Sequence, residues 1–384
     1  VIDAGGLWAF PGLTDMHAHL REPGGGEAET IASGLRAALA GGFTRVAAMP
    51  NTTPPIDDAA SVALQLEASR VARAAELVPV GCVTKGRLGR ELADLACMAR
   101  AGARAFSDDG APVSDRGLLA LAVDLAEALG CVVIEHPEDT TLTAGGAVNA
   151  GPVAERLGVR GIPQEGETGA VASALETARN CRGRLHLTHL SLPGSVRMTA
   201  EARASGIRVT CDATPHHLAL DESAVLELGP DAKMNPPLRS AADRTALADM
   251  AAAGGLDAVA SDHAPHTAAA KSAGLASAPF GVTSVETMLP VVLGTLCRER
   301  GMRLLEALAL MSARPSAILG LPPAPVSEGR RADLVLFDPD AEWTPGPGTM
   351  LSRSGNTPFR GRSLTGRVRA VWRGSLAYTD GSVV

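Results

Sequence analysis

Leu13-Thr14-Asp15-Met16-His17-Ala18-His19 is a short apolar run that closes on two histidines, and after a polar loop an Ala/Leu-rich stretch, 27–40, follows it. This strand–loop–helix unit then recurs along the chain. Strands are expected at 14–19, 44–49, 77–83, 103–107, 131–136, 185–189, 207–213 and 258–262. Helices are expected at 27–40, 59–74, 88–101, 115–129, 168–181, 194–205, 242–253 and 284–300, with one more at 304–318. Eight alternating units are the number of a TIM-type (β/α)8 barrel, so the expected fold class is α/β. A doubly wound open sheet is the second reading, weakened because no GxGxxG follows the first strand. Beyond Leu319 the texture changes. Pro322-Pro323-Ala324-Pro325 reads as a linker, and 332–337 and 368–372 read as strands of a small β unit that residues 1–10 could join.

The composition narrows the class. Of 384 residues, 46% are apolar and 20% charged, which supplies a large core and excludes global disorder. Gly and Pro exceed the usual ~12% share, implying many tight loops. Aromatics are 3% and the net charge is −7 with no basic run, so a nucleic-acid partner is disfavoured. No apolar stretch reaches the ~18 residues of a membrane span, and no signal peptide is visible. The six cysteines form no CxxC pair and read as reduced buried thiols of a cytoplasmic protein. The chain opens on Val1-Ile2-Asp3 rather than Met, so an N-terminal segment is expected to precede it.

The chemistry sits at the strand ends. Residues two apart on a strand share a face, so His17 and His19 both project into the barrel mouth. Asp108-Asp109 follows strand four, His136 ends strand five, His189 ends strand six and Asp262-His263 ends strand eight. Barrel active sites lie at that C-terminal face. Imidazole and carboxylate without thiolate suit Zn²⁺, with Mn²⁺ or Co²⁺ as alternatives. Six ligands exceed one tetrahedral zinc and fit two ions about 3.5–4 Å apart. Two cations bring a water between them to hydroxide at neutral pH, one polarises a carbonyl, and a carboxylate at strand eight moves the proton to a leaving nitrogen. That is hydrolysis of an amide, ideally a cyclic one. Between Asp108 and Asp109, spacing alone leaves the choice open.

Pro11-Gly12-Leu13-Thr14-Asp15-Met16-His17-Ala18-His19-Leu20-Arg21-Glu22-Pro23-Gly24 resembles the signature of the type I dihydroorotases of the amidohydrolase superfamily. Further stretches are similar, in order: Met49-Pro50-Asn51-Thr52, Phe106-Ser107-Asp108-Asp109-Gly110, Thr214-Pro215-His216-His217, Asn235-Pro236-Pro237-Leu238-Arg239, Asp262-His263-Ala264-Pro265-His266, Ala278-Pro279-Phe280-Gly281 and Asn356-Thr357-Pro358-Phe359. The resemblance implies a barrel over 11–325 and a small β-sandwich from 1–10 and 326–384, incomplete at its N-terminus. It implies the reversible interconversion of (S)-dihydroorotate and N-carbamoyl-L-aspartate in pyrimidine biosynthesis. It also implies His17, His19 and Asp262 as ligands of a first zinc, His136 and His189 as ligands of a second, and Asp109 as their bridge. Two zinc ions per chain are expected, with one as the lower count. Asp262 matches the general base and acid. Arg21, Asn51, Asn235, His266, Phe280, Gly281 and His19 match substrate contacts, and the guanidinium of Arg21 suits a carboxylate. Relatives with a carboxylated lysine at strand four differ here, since 103–109 holds no lysine.

Pro137 follows His136 where relatives often carry Cys or Ala, which makes this ligand the least secure. Glu138 and Asp139 are either orienting groups or solvated. His186, of opposite parity to His189, is expected to face the helices in a structural role. His216-His217 reads as loop packing, His263 and Asp15 as structural. The Ala/Gly/Ser-rich loop 267–279 is expected to move and exclude water. Two rival functions stay in view: a hydantoinase- or allantoinase-like cyclic amidase, and a catalytically silent partner of aspartate carbamoyltransferase. A homodimer and association with that carbamoyltransferase remain open as partners beside the small-molecule substrate.

Overall fold

The structure, a computed structural model, describes residues 4–322, 324 and 326–384. All eight expected barrel strands are present, as Leu13–Ala18, Phe43–Ala48, Glu76–Gly81, Ala105–Phe106, Val132–Glu135, Leu185–Leu187, Val209–Ala213 and Ala258–Val259. They pair in sequence order as one parallel sheet. A parallel bridge joins Ala18 to His263, and the His19 N–H donates to the His263 carbonyl at 2.8 Å. The eighth strand thereby closes on the first, and the architecture is the barrel rather than the open sheet.

Period-two alternation sorts the strand residues. Leu185, Leu187, Val209 and Cys211 join the layer between strands and helices, whereas Val132, Ile134, Ala258 and Ala260 fill the interior with Met16 and Met49. Strand one carries a register shift between Asp15 and Ala18. This bulge leaves Met16 in the interior plug and still sends His17 and His19 to the mouth.

The helices follow their capping residues. Thr30 and Ser33 form a capping box, so the first helix is Ile31–Ala40 rather than 27–40. The third begins at Leu95, capped by Asp94, not at 88; Arg87 (φ +57°) and Gly89 (φ +67°) are left-handed and cannot continue a helix. The stretch 284–300 becomes helical only from Met288, and ahead of it the Thr283 and Ser284 N–H groups donate to the Asn356 carbonyl and the His263 ring. The expected helix 304–318 is two, Leu304–Ala309 and Ala313–Ile318. Between them the carbonyls of Leu310 and Met311 accept from Val259 and Thr14 at the floor of the barrel, at 2.9 and 2.8 Å.

The small β unit is an antiparallel sheet of Trp8–Pro11, Asp333–Trp343, Leu364–Arg373, Ser375–Thr379 and Ser382–Val383. Its described residues form this one sheet, whose Val335, Phe337, Val368 and Val371 share a core with Leu35 and Leu39 of the first helix. Pro323 and Pro325 of the expected linker, and residues 1–3 of the expected N-terminal portion, lie outside the described residues.

Between strands five and six the chain makes an excursion with no counterpart in the sequence reading. It holds the helices Thr140–Thr143 and Pro152–Leu157 and a two-stranded parallel sheet, Val148–Asn149 with Gly161–Ile162. A buried ion pair fastens it. Glu167 accepts from the N–H groups of Ser191 and Leu192 and from the hydroxyls of Ser191 and Ser195. Arg239, 3.3 Å away, also donates to Asn149 and the Ile162 carbonyl. Removing one partner of such a pair leaves a buried charge uncompensated. Glu167→Ala is therefore expected to lower unfolding free energy by roughly 3–5 kcal/mol, read as a reduced urea midpoint.

Candidate active site

The strand ends bring the six expected ligands together, all buried, at the C-terminal mouth of the barrel. Asp109 is at the centre. Its Oδ1 lies 3.4 Å from His17 Nε2, 3.4 Å from His136 Nδ1 and 3.5 Å from His189 Nε2, and its Oδ2 is 3.6 Å from His19 Nε2. Asp262 Oδ1 is 3.2 Å from His19 Nε2 and 3.6 Å from His17 Nε2. Burial would raise both carboxylates, but the imidazoles facing them hold Asp262 below, and Asp109 well below, the ordinary range. In return the carboxylates outweigh burial at His17 and His136, drawn up to about 9 and about 10.

The donor set fits divalent metal. Atoms of His17, His19 and Asp262 form one compact group, and atoms of His17, Asp109 and His189 a second. His17 Nε2 and Asp109 Oδ1 are buried without a hydrogen-bond partner among the described residues, as atoms reserved for a ligand would be. The far nitrogens of three rings are held: His17 Nδ1 by Thr188 Oγ1 at 2.9 Å, His19 Nδ1 by Asn51 Oδ1 at 2.8 Å and His136 Nε2 by Glu138 Oε2 at 3.1 Å. Such partners fix the tautomer and aim of a metal-ligating imidazole. His136 faces the cluster despite Pro137, yet stands outside both compact groups, in edge contact with His189 at 4.5 Å between ring centroids.

Local structure resolves the alternatives that spacing left open. Asp108 accepts from the N–H groups of Val83 and Thr84 and from the Thr84 hydroxyl, so it ties strand three to strand four and Asp109 alone faces the imidazoles. Glu138 is not solvated: besides His136 it accepts from Thr143 at 2.6 Å and Asn235 at 3.0 Å, and despite burial His136 and these contacts bring it down to about 2. Asp139 instead caps the helix Thr140–Thr143.

Parity misleads at His186. It shares the interior-facing register of Ile134, and its ring joins Thr210 and Asp212, each at 2.8 Å. His189 has φ +43°, so the alternation breaks before it and cannot be counted backward. Asp15, bound by Ser261, and His263, 3.5 Å from Glu29, are structural as expected. His217 packs its loop through Thr214 and the Pro236 carbonyl, while both ring nitrogens of His216 are buried and unpartnered among the described residues.

A cavity of about 200 Å³ opens over the cluster, lined by His19, Arg21, Asn51, Asp109, His136, His189, Asn235, Asp262, His266, Phe280 and Gly281, with Gly110 and Ala264, to which the sequence reading gave no role. Arg21 reaches it from a left-handed loop position, φ +61°, with Nε donating to the Pro265 carbonyl at 3.0 Å. Burial and Arg21 bring His266 down to about 3, so it is neutral and donates Nε2–H to the Phe280 carbonyl at 2.7 Å. Gly281 has φ +124°, and a Cβ there would lie 2.6 Å from that of Ala264, so only glycine fits. Asn356 reaches back from the C-terminal segment to Gly281 and Ala264, which gives its motif a place in the site. Rather than standing loose, the loop 267–279 is anchored: Thr267 caps the helix Ala268–Lys271, and lysine ammoniums bind its carbonyls.

No helix of the described residues is long and apolar enough to cross a membrane. A family model described as dihydro-orotase-like matches residues 6–193. A dihydroorotase of Pelotomaculum thermopropionicum is 44% identical over 366 residues, covering 95% of this chain and 86% of that protein. One of Anaeromyxobacter dehalogenans is 43% identical over 387 residues, covering 99% and 88%. Among solved structures, an L-hydantoinase (dihydropyrimidinase) from Arthrobacter aurescens superposes with a TM-score of 0.88 at 25% identity, covering 100% of this chain and 88% of that one. A dihydropyrimidinase from Brevibacillus agri follows the same fold, with a TM-score of 0.85 at 23% identity. The site and the near full-length likeness lead to one conclusion: this chain belongs to the dihydroorotase family of the metal-dependent amidohydrolases.

Proposed function

We propose that the chain catalyses the reversible hydrolysis of the cyclic amide of (S)-dihydroorotate to N-carbamoyl-L-aspartate. The carrying observation is the polarity of the pocket: imidazoles and carboxylates at one end, and Arg21 at the wall that Pro265, His266 and Phe280 form. His17, His19 and Asp262 would hold one zinc ion, and Asp109 and His189, with His136 beside them, a second. When bound, these cations supply Lewis acidity toward the amide carbonyl and a hydroxide nucleophile at neutral pH. Everything else falls to the chain's own groups. The guanidinium of Arg21 pairs with the ring carboxylate and sets the orientation of the ring. Asn51, whose amide donates to Asp109 Oδ2 at 3.2 Å and accepts from His19, and Asn235, held by Glu138, present fixed polar edges. Asp262 is ionised and buried beside His19, so its carboxylate would accept the proton of the attacking nucleophile and return it to the departing ring nitrogen.

A hydantoinase-like reading demands a ring without a carboxylate and leaves Arg21 without a task, and a silent partner has no use for six assembled ligands. The partner proposals, a homodimer and an association with aspartate carbamoyltransferase, are read by light scattering and by co-elution. The deciding experiment is zinc content measured together with dihydroorotate cleavage and the reverse cyclisation on purified protein. Zinc-loaded protein that cleaves hydantoins but not dihydroorotate would reject the reading.

Asp262→Ala is expected to lower kcat by about 10²–10⁴-fold, the usual size of a proton-transfer contribution, in both directions of the reaction. Arg21→Ala is expected to raise KM for dihydroorotate roughly 10- to 100-fold, as loss of a charge-assisted hydrogen bond does; an unchanged KM would remove Arg21 from the substrate site. Dialysis against a chelator should abolish turnover, and Zn²⁺ should restore it.

A further inference from the structure

Only three lysines occur in the chain, and two of them, Lys233 and Lys271, are buried beside the pocket. Neither ammonium makes an ion pair with a carboxylate among the described residues; each instead donates to backbone carbonyls. Lys233 Nζ donates to Leu275, Ala276 and Ala278 at 2.7, 3.1 and 2.7 Å. Lys271 Nζ donates to the carbonyls of Lys233, Pro279 and Gly281 at 3.3, 3.1 and 2.7 Å. The two lysines interlock through the Lys233 carbonyl, which accepts from Lys271 Nζ and also from the Gly281 N–H at 2.9 Å. The Lys233 ammonium lies 4.5 Å from the centroid of the Phe280 ring.

Burying an ammonium is costly and is tolerated where its donors are satisfied. Here all six hydrogen bonds go to two adjacent parts of the chain, 275–281 and Lys233 itself. The segment 275–281 ends on Phe280 and Gly281, which line the cavity. It is otherwise rich in small residues and has no strand or helix to hold it. Substituting methionine keeps most of the stem and deletes every one of these donors.

We propose that Lys233 and Lys271 are positioning residues that clamp 275–281 into a rigid wall, and that their two charges join Arg21 in making this side of the cavity attractive to an anionic ring. The inference rests on the dihydroorotate reading for its substrate but not for the clamp itself. Two buried cations near Arg21 strengthen the hold on a carboxylate in the ground state and the transition state alike. Their loss therefore appears mainly in KM, with kcat preserved, since both ammoniums bond only to backbone carbonyls and neither bonds to Asp262 or to a candidate metal ligand.

The test compares Lys271→Met and Lys233→Met with Lys85→Met, a control in which an exposed lysine loses its pairing with Glu91. Hydrogen exchange of the 272–281 amides, followed by mass spectrometry in zinc-loaded protein without substrate, should accelerate in both site variants and stay unchanged in the control. KM for dihydroorotate should rise about tenfold, with kcat within about threefold. Unchanged exchange in 272–281 would overturn the clamp, and faster exchange with an unchanged KM would overturn the contribution of the two charges to holding the anionic ring. If Lys271→Met fails to fold, Lys233→Met carries both measurements. Wild-type protein that shows protected 272–281 amides but no dihydroorotate turnover would defeat the functional reading and leave the clamp standing.

Discussion

The carboxylate of Asp109 is the feature around which the mouth of the barrel is arranged. Three imidazoles approach one of its oxygens within 3.5 Å and a fourth approaches the other. A buried carboxylate is tolerated only where opposite charge or hydrogen-bond donors surround it. The chain meets that demand from strands one, five and six at once, and a further ring of partners then immobilises the imidazoles: Thr188, Asn51 and Glu138 each hold one far nitrogen. Arg87 adds to this from behind, donating to the backbone carbonyls of Asp108 and Asp109.

Left-handed backbone recurs where the chain leaves the strands. Arg21, His189 and Asp262 have φ of +61°, +43° and +44°, a conformation uncommon for residues with a Cβ. At His189 the change of sign brings to the mouth a side chain that strand alternation, with Leu185 and Leu187 facing the helices, would not deliver there. Neighbouring hydrogen bonds hold the conformation. The His189 N–H donates to Asp212 at 2.5 Å, and the Arg21 carbonyl accepts from Gly25 at 2.8 Å. Asp212 at the same time receives His186 and Thr188, so one buried carboxylate on strand seven steadies ligands on strands one and six.

The two ends of the cavity are built by different means. The ligand end stands on the strands and inherits their rigidity. The opposite end is loop, and it is held by contacts distant in sequence: Asn356 from the C-terminal segment, the His266 ring, and the ammoniums of Lys233 and Lys271. The loop 267–279 looked free because it is rich in Ala, Gly and Ser. Its order comes from donors that no local pattern reveals.

Much of this was legible in the residues themselves. Strand and helix periods are local, so eight units and their strand ends could be read directly, and the histidines and aspartates at those ends announced metal chemistry. The motif likeness then assigned a role to every residue that lines the cavity, apart from Gly110 and Ala264. Other features required the fold. Asp108 and Asp109 differ only in which one Val83 and Thr84 bind, and His186 turns inward with its register partner Ile134, while the backbone changes sign only at His189. Glu138 orients ligands only because strand five brings it between His136 and Asn235. By itself, then, the sequence determined the barrel and the chemical kind of its site. The tertiary structure decided which carboxylate faces the imidazoles, which ring nitrogens are held and what contacts the loop makes, because a side chain's direction beyond the end of a strand depends on partners far away in the chain.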